Sequence, residues 1–165
     1  MIRLATKQEL EHIEKDPVRP HISKEWRTRS GREVYVLERD GEVAACICVA
    51  YMDEVPTSEK DMKWVGMKCA VFYTVWSYKR GYGRTIINSA LEELKDGKIK
   101  KAVTLSPLTT MAERFHIRNG AKLIGKYEHC QNFEYKIPES KYPVDNEDTK
   151  GTRMDDNWYY FKKEE

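Results

Sequence analysis

Long apolar runs are missing from this chain, and their absence excludes a membrane-spanning helix. The longest, Val43 to Met52 and Cys69 to Trp76, fall well short of the ~20 residues such a helix needs. Glycine and proline are sparse, nine and six of 165 residues, and follow no period, which excludes a collagen-like or low-complexity chain. No charge sign dominates either. Lys plus Arg number 29 against 27 Asp plus Glu, and a net charge of +2 is too small for a non-specific nucleic-acid coat. The four cysteines, Cys46, Cys48, Cys69 and Cys130, lack the spacing of a zinc clip or redox pair and read as reduced, buried, structural thiols. No metal site is expected. Met1-Ile2-Arg3 leads straight into a polar, helix-like stretch without a signal or transit pattern, so a cytoplasmic location away from the membrane is expected.

What is present is enough for one domain, residues 1–165. Ile2 to Ala5 reads as a strand. Thr6 and Glu9 form a capping box ahead of Leu10 and Ile13, and Asp16-Pro17 ends that helix. A second short helix is expected from Ser23 to Arg29. From Glu33 the apolar period becomes two, and Asp40-Gly41 marks a hairpin between Val34–Val36 and the run Val43 to Tyr51. After a polar loop, Asp53 to Lys63, a strand from Met67 to Trp76 is apolar on both faces and so belongs in the middle of a sheet. Ile86, Ile87, Ala90, Leu91 and Leu94 then lie at helical spacing. Ala102–Leu105 reads as a strand, Thr109–Asn119 as a helix closed by Gly120, and Ala121–Tyr127 and Phe133–Ile137 as strands. A long polar loop, 138–157, precedes a last strand at Trp158–Phe161. Strands first and βαβ afterwards predict an α/β (α+β) mixed sheet with helices on both faces.

The chemistry concentrates where the central strand meets the next helix. Lys79-Arg80-Gly81-Tyr82-Gly83-Arg84-Thr85 is a glycine-rich turn opening a helix, an arrangement that suits phosphate. Helix N-termini leave backbone N–H groups unpaired and carry partial positive charge, and glycine lets a pyrophosphate approach the chain. Lys79, Arg80 and Arg84 add side-chain charge. The dinucleotide fingerprint would need a third glycine at position 86, which is Ile86, and no Walker lysine pattern is present.

With this order of elements the chain resembles the Gcn5-related N-acetyltransferase (GNAT) superfamily over nearly its whole length. That family's pyrophosphate loop reads Arg/Gln-x-x-Gly-x-Gly/Ala. Arg80 and Gly83 match it, and Thr85 stands in for the last small residue. Val75-Trp76-Ser77 occupies the place of the family's Val-x-Pro without the proline. Downstream the family shows Asn-x-x-Ala-x-x-Leu-Tyr-x-Lys-x-Gly-Phe. Here Thr109 replaces Asn, Ala112 and Gly120 match, Phe115-His116 replaces Leu-Tyr, Arg118 replaces Lys and Ala121 replaces Phe. Trp158–Lys162 is similar to the last strand of many members.

The resemblance implies a central, mostly antiparallel, twisted sheet with one splayed parallel pair, Met67–Trp76 and Ala102–Leu105, and a bulge in the first. It implies acetyl-CoA or another acyl-CoA as cofactor, held by Val75, Trp76, Ser77, Arg80, Gly81, Tyr82, Gly83, Arg84, Thr85 and Thr109. Backbone N–H near Val75 would polarise the thioester, and an amine would attack directly. The family's tyrosine acid aligns with His116, whose imidazolium would protonate the leaving thiolate. Tyr127 and Tyr73 are alternative phenols, Tyr73 and His129 are conceivable bases, and the family often routes the proton through water. The implied acceptor is a small-molecule or protein amine, for which the acidic bias of Asp53, Glu54, Glu59 and Asp61 would suit a cation. The protein is expected as a monomer or homodimer.

Two other readings stand beside this one. Thr85, Thr109 and His116 depart from the family pattern and suit a non-catalytic structural or interaction domain, and the opening residues also resemble small phage internal virion proteins. Against that, a chain without a cofactor has no use for two glycines beside Arg80. A nucleobase-modifying branch would need nucleic-acid contact, and Trp26 amid Lys24, Arg27, Arg29 and Arg32 is the basic-aromatic cluster that would supply it.

Overall fold

A computed structural model describes residues 2–139. Among these residues eight strands form one sheet: β1 (Ile2–Leu4), β2 (Arg32–Arg39), β3 (Glu42–Met52), β4 (Cys69–Ser77), β5 (Lys101–Thr104), β6 (Ser106–Pro107), β7 (Lys122–Lys126) and β8 (Cys130–Tyr135). The order is β1-β2-β3-β4-β5-β8-β6, with β7 also paired to β8. Among these pairings β4 with β5 is parallel and the others are antiparallel. The helices are α1 (Lys24–Arg27), α2 (Tyr82–Glu93) and α3 (Thr110–Arg118), with 3-10 segments at Glu9–Lys15 and Glu59–Lys63.

The sheet buries both faces. On one, Ile86, Ile87, Ala90 and Leu91 of α2 cover Ile47, Val49, Phe72 and Ala102. On the other, Ile13, Trp26 and Met62 cover Cys48, Val71, Tyr73 and Val103. Each fully buried Ile or Val stabilises the fold by about 1.5–3 kcal/mol, so these two layers outweigh the surface pairs. The mixed sheet with helices on both faces therefore stands as the sequence implied. The hairpin forms at Asp40-Gly41, both at positive φ (55° and 79°), the backbone such a two-residue turn requires. All four cysteines are free and buried, and burial pushes Cys46 up to about 12 and Cys48 up to about 11.

Several boundaries move. The first predicted helix is a 3-10 segment. The capping box still closes: the Glu9 N–H donates to Thr6 Oγ1 (3.2 Å) and the Thr6 N–H to Glu9 Oε1 (3.0 Å). The second helix shrinks to Lys24–Arg27, capped by Ser23, whose Oγ accepts the Trp26 N–H at 3.1 Å. The central strand starts at Cys69, and ahead of it the Met67 N–H bonds the Asp53 carboxylate (2.9 Å). β6 was not foreseen; two residues carry no period. Most of the polar stretch 138–157 and the strand expected at Trp158–Phe161 lie outside the described residues.

Candidate functional site

The site begins at a bulge. Cys48 pairs with Thr74 and Val49 with Phe72, so Tyr73 is an extra residue in β4. Its consequence is that Tyr73 and Thr74 both turn toward α1: Tyr73 meets Trp26 edge-on (5.6 Å between centroids), and Thr74 bonds Asp16 (2.8 Å). On the other edge of β4, pairing with β5 covers only Cys69–Phe72, extended by the Leu105 N–H to Phe72 O bond (3.1 Å). From Tyr73 to Ser77, β4 has no strand partner on that side among the described residues. The two parallel strands splay as the resemblance implied.

The splayed edge runs directly into the glycine-rich turn. Ser77 Oγ–H donates to Lys79 O (2.9 Å), and Gly81 caps α2 at φ +94°, a conformation that favours glycine. The Thr85 N–H and hydroxyl both bond Gly81 O (3.2 Å each). The amide hydrogens of Gly83 and Arg84 have no acceptor among the described residues, so the first turn of a twelve-residue helix presents bare donors. No acidic side chain lies in that turn. Lys79 and Arg80 are exposed beside it without an ion pair among the described residues. Arg84 is engaged elsewhere: its guanidinium holds Asn119 Oδ1 (3.1 Å) and Arg118 O (2.9 Å), tying α2 to the end of α3. Gly83 is buried, and a Cβ there would stand 3.1 Å from the Phe115 ring. Val75 and Trp76 are half-buried, on opposite faces of the sheet, and the Trp76 indole N–H is buried without an acceptor among the described residues. Tyr82 packs against the α2-side core.

The proton-transfer candidates fall apart in space. His116 lies in the core between α3 and β8, stacked on Phe133 (5.2 Å), with Nδ1 2.7 Å from the Tyr135 hydroxyl. Burial lowers its pKa to about 4, so near neutral pH the ring is uncharged and holds no imidazolium proton to give. That corrects the role the alignment implied. Tyr73 is 2% exposed on the opposite face of the sheet, and burial, with the Cys48 thiol beside it, raises its pKa far above the ordinary phenol. Tyr127 stays half-open on the β7–β8 hairpin, its ring folded over Gly125. His129 is a surface residue paired with Glu128 (2.8 Å). Thr109 caps α3, its Oγ1 accepting the Ala112 N–H at 3.1 Å.

Across the mouth of the splay stands a residue that sequence reasoning missed. Arg19, 4% exposed, donates from Nη1 to Tyr73 O and from Nη2 to Leu105 O (2.8 Å), bridging the two diverging strands. A buried ion pair fixes the loop that carries it. Asp16 Oδ1 accepts the Val18 and Arg19 N–H groups (2.9 and 3.1 Å), and Oδ2 accepts from Arg27 (3.0 Å) and Thr74. Burial opposes the charge on Asp16, but these four donors outweigh it and hold the pKa below the usual carboxylate range. Arg27 is fully buried and also donates to Arg19 O (2.6 Å). Half of the basic cluster around Trp26 is accordingly turned inward: Arg27 is buried, and Arg32 lies 4.0 Å over the indole and bonds Met62 O (2.9 Å), while Arg29 is exposed and Lys24 pairs with Glu14 at the surface.

Beside Arg19 opens a cleft of about 440 Å³ lined by His21, Trp26, Glu59, Lys60, Met62 and Lys63. Three of the four acidic groups expected to bias the 53–63 loop are engaged by neighbours, while Glu54 is exposed. Asp53 holds Met67, Asp61 accepts from Thr57 (2.9 Å), and Glu59 joins Arg19 Nε (3.2 Å) to His21. Among the described residues no cluster has the makings of a metal site, and no helix is long and apolar enough to cross a membrane.

No family model matches the sequence, and no curated protein matches it. Solved structures match the fold. Malonyl-CoA decarboxylase from Agrobacterium vitis has a TM-score of 0.66 at 16% identity, over 94% of this chain and 64% of that one. The ribosomal-protein-S18-alanine N-acetyltransferase from Escherichia coli has a TM-score of 0.62 at 15% identity, over 85% and 95%. The N-acetyltransferase PseH from Campylobacter jejuni, in complex with acetyl coenzyme A, has 0.56 at 13%, over 84% and 100%. At these identities the likeness is one of fold.

Proposed function

The chain has the Gcn5-related N-acetyltransferase fold, and from that premise we propose that it is an acyl-CoA-dependent N-acyltransferase, moving an acetyl group to an amine by direct attack. The observation that supports the reading is the continuity of open backbone: beyond the Arg19 contact to Tyr73 O, the edge of β4 from Thr74 to Ser77, without a strand partner among the described residues, leads into the bare Gly83 and Arg84 amides at the start of α2. A linear ligand with amide groups along its length and a pyrophosphate at one end matches that sequence of donors.

The cofactor supplies an activated acyl thioester. The chain's part is positional. The β4 edge orients the pantetheine arm, the α2 amides with Arg80 neutralise the pyrophosphate, and Arg19 closes the mouth of the splay toward the acceptor. The acid for the thiolate is sought at Tyr127 or in solvent, since His116 is neutral in the core. That same burial favours a second reading, a GNAT-like domain that serves structure or interaction without catalysis.

Thermal unfolding with added acetyl-CoA separates the two. A ligand at 100 times its Kd adds about 2.7 kcal/mol of stability, a clear rise in Tm. No rise at millimolar acetyl-CoA dismisses the acyltransferase and leaves the second reading.

A further inference from the structure

Two residues that line the acceptor-side cleft are joined to the splay by a chain of hydrogen bonds. Tyr73 O and Leu105 O hold the Arg19 guanidinium, Arg19 Nε holds Glu59 Oε2 (3.2 Å), and Glu59 Oε1 holds His21 Nε2. Each link restricts the next. Arg19 is fixed by the Asp16 turn and by two strand carbonyls, so the Glu59 carboxylate is anchored despite lying near the surface. A carboxylate only accepts, so the His21 ring must donate its Nε2–H to it. In the neutral ring Nδ1 then keeps its lone pair, and His21 and Glu59 both line the cleft.

We propose that His21 is the general base of this site, with Glu59 as the residue that sets its tautomer and orientation and Arg19 as the strut that ties the pair to the splayed strands. The inference rests on the acyltransferase reading and deepens it: the cleft of about 440 Å³ holds the acceptor amine. The proton leaves the attacking amine for His21 Nδ1 as the N–C bond forms and the C–S bond breaks. Sulfur departs with the bonding pair and takes a proton from solvent, and His21 returns its own to solvent. An imidazole fixed by a carboxylate is a common way to position a base. The charges facing it from the neighbouring elements are Arg19, Glu59, Lys60 and Lys63.

The test uses the full chain with acetyl-CoA and glycinamide, a compact α-amine. His21→Gly is expected to lose about 10²–10⁴-fold in kcat, the usual worth of general acid–base catalysis, with the KM for acetyl-CoA unchanged. Added imidazole restores turnover in proportion to its concentration, which a packing role would not allow. Independently of activity, proton NMR of the wild type shows a downfield ring N–H from His21, and Glu59→Gln moves it upfield. Full turnover in His21→Gly, a loss that imidazole does not rescue, or a His21 signal indifferent to Glu59→Gln each overturns the proposal. Wild-type protein that binds acetyl-CoA and never acylates glycinamide overturns it too. Failure to bind acetyl-CoA at all counts instead against the acyltransferase reading, so the two failures are told apart.

Discussion

On the α2 side of the splay the groups left for a ligand are backbone amides, those of Gly83 and Arg84, bare because a helix starts there. On the α1 side the polar groups are side chains already bonded to one another: Asp16 to Arg27 and Thr74, Arg19 to two strand carbonyls and to Glu59. The first side needs little to hold it, since the turn and helix geometry create the donors. The second depends on pairs that are costly to bury singly and stable only together. The contrast suggests a division of labour, with a backbone cradle for the invariant part of a cofactor and a locked side-chain network for the acceptor.

The sharpest way to break the contrast is Asp16→Ala. It strands the fully buried Arg27 without a counter-charge, a change worth about 3–5 kcal/mol, measured by urea unfolding. Its pH signature has a definite sign. The Asp16 pKa is lowered by folding, so its contribution is present above the unfolded value of about 3.9 and is lost as pH falls through the lower folded value. The variant should unfold with less dependence on pH in that acid range.

On the other side, Gly83→Val drives methyl groups toward the Phe115 ring, which a Cβ alone would meet at 3.1 Å. Overpacking of this kind costs about 1–3 kcal/mol. Adding Phe115→Ala makes room and should recover part of the stability without recovering CoA affinity in a calorimetric titration. Recovered affinity would make Gly83 a packing residue and nothing more.

His116→Phe comes next. It removes the 2.7 Å contact with Tyr135 and should cost about 1–2 kcal/mol near pH 7 while leaving turnover intact. Because burial lowers the folded pKa from about 6.5 to about 4, wild-type stability falls as pH drops across that interval, and the variant should lose that slope. A turnover loss at unchanged stability would restore the acid role to His116.

These expectations also mark how far the sequence could be read. The α2 side was legible because its determinants are local. Gly81 and Gly83 flank the helix start, the apolar spacing from Ile86 to Leu94 places α2, and a strand apolar on both faces must lie centrally. The bulge at Tyr73 came from the resemblance, not from any period. The α1 side was not legible, because its partners are far apart in the chain. Arg19 and Tyr73 are separated by 54 positions and Arg19 and Leu105 by 86, and no spacing rule connects an arginine between two prolines to carbonyls on two strands. Asp16-Pro17 read only as a helix stop. His116 was misread for the same reason, since its burial depends on Phe133 and Tyr135 of β8.

The smallest effect is expected at the edge of the sheet. Arg3 pairs with Glu9 and Glu38 (2.7 Å each) on the surface, and Arg3, chiefly through its hydrogen bonds, brings Glu9 down to about 2. Exposed pairs are screened, so Arg3→Ala should change unfolding free energy by less than about 1 kcal/mol. A larger loss would show that β1 and the Thr6–Glu9 box hold more of the fold than the two core layers imply.

The central claim is that acyl-CoA lies along β4 with its pyrophosphate at the start of α2. Amide chemical shifts of ¹⁵N-labelled protein titrated with CoA test it residue by residue. The account expects the largest changes at Gly83 and Arg84, a continuous trail through Val75, Trp76 and Ser77, and small changes in the Asp16–Arg27 network. Shifts concentrated at Asp16–Arg27 with Gly83 and Arg84 unmoved, or no shifts at saturating CoA, would contradict it.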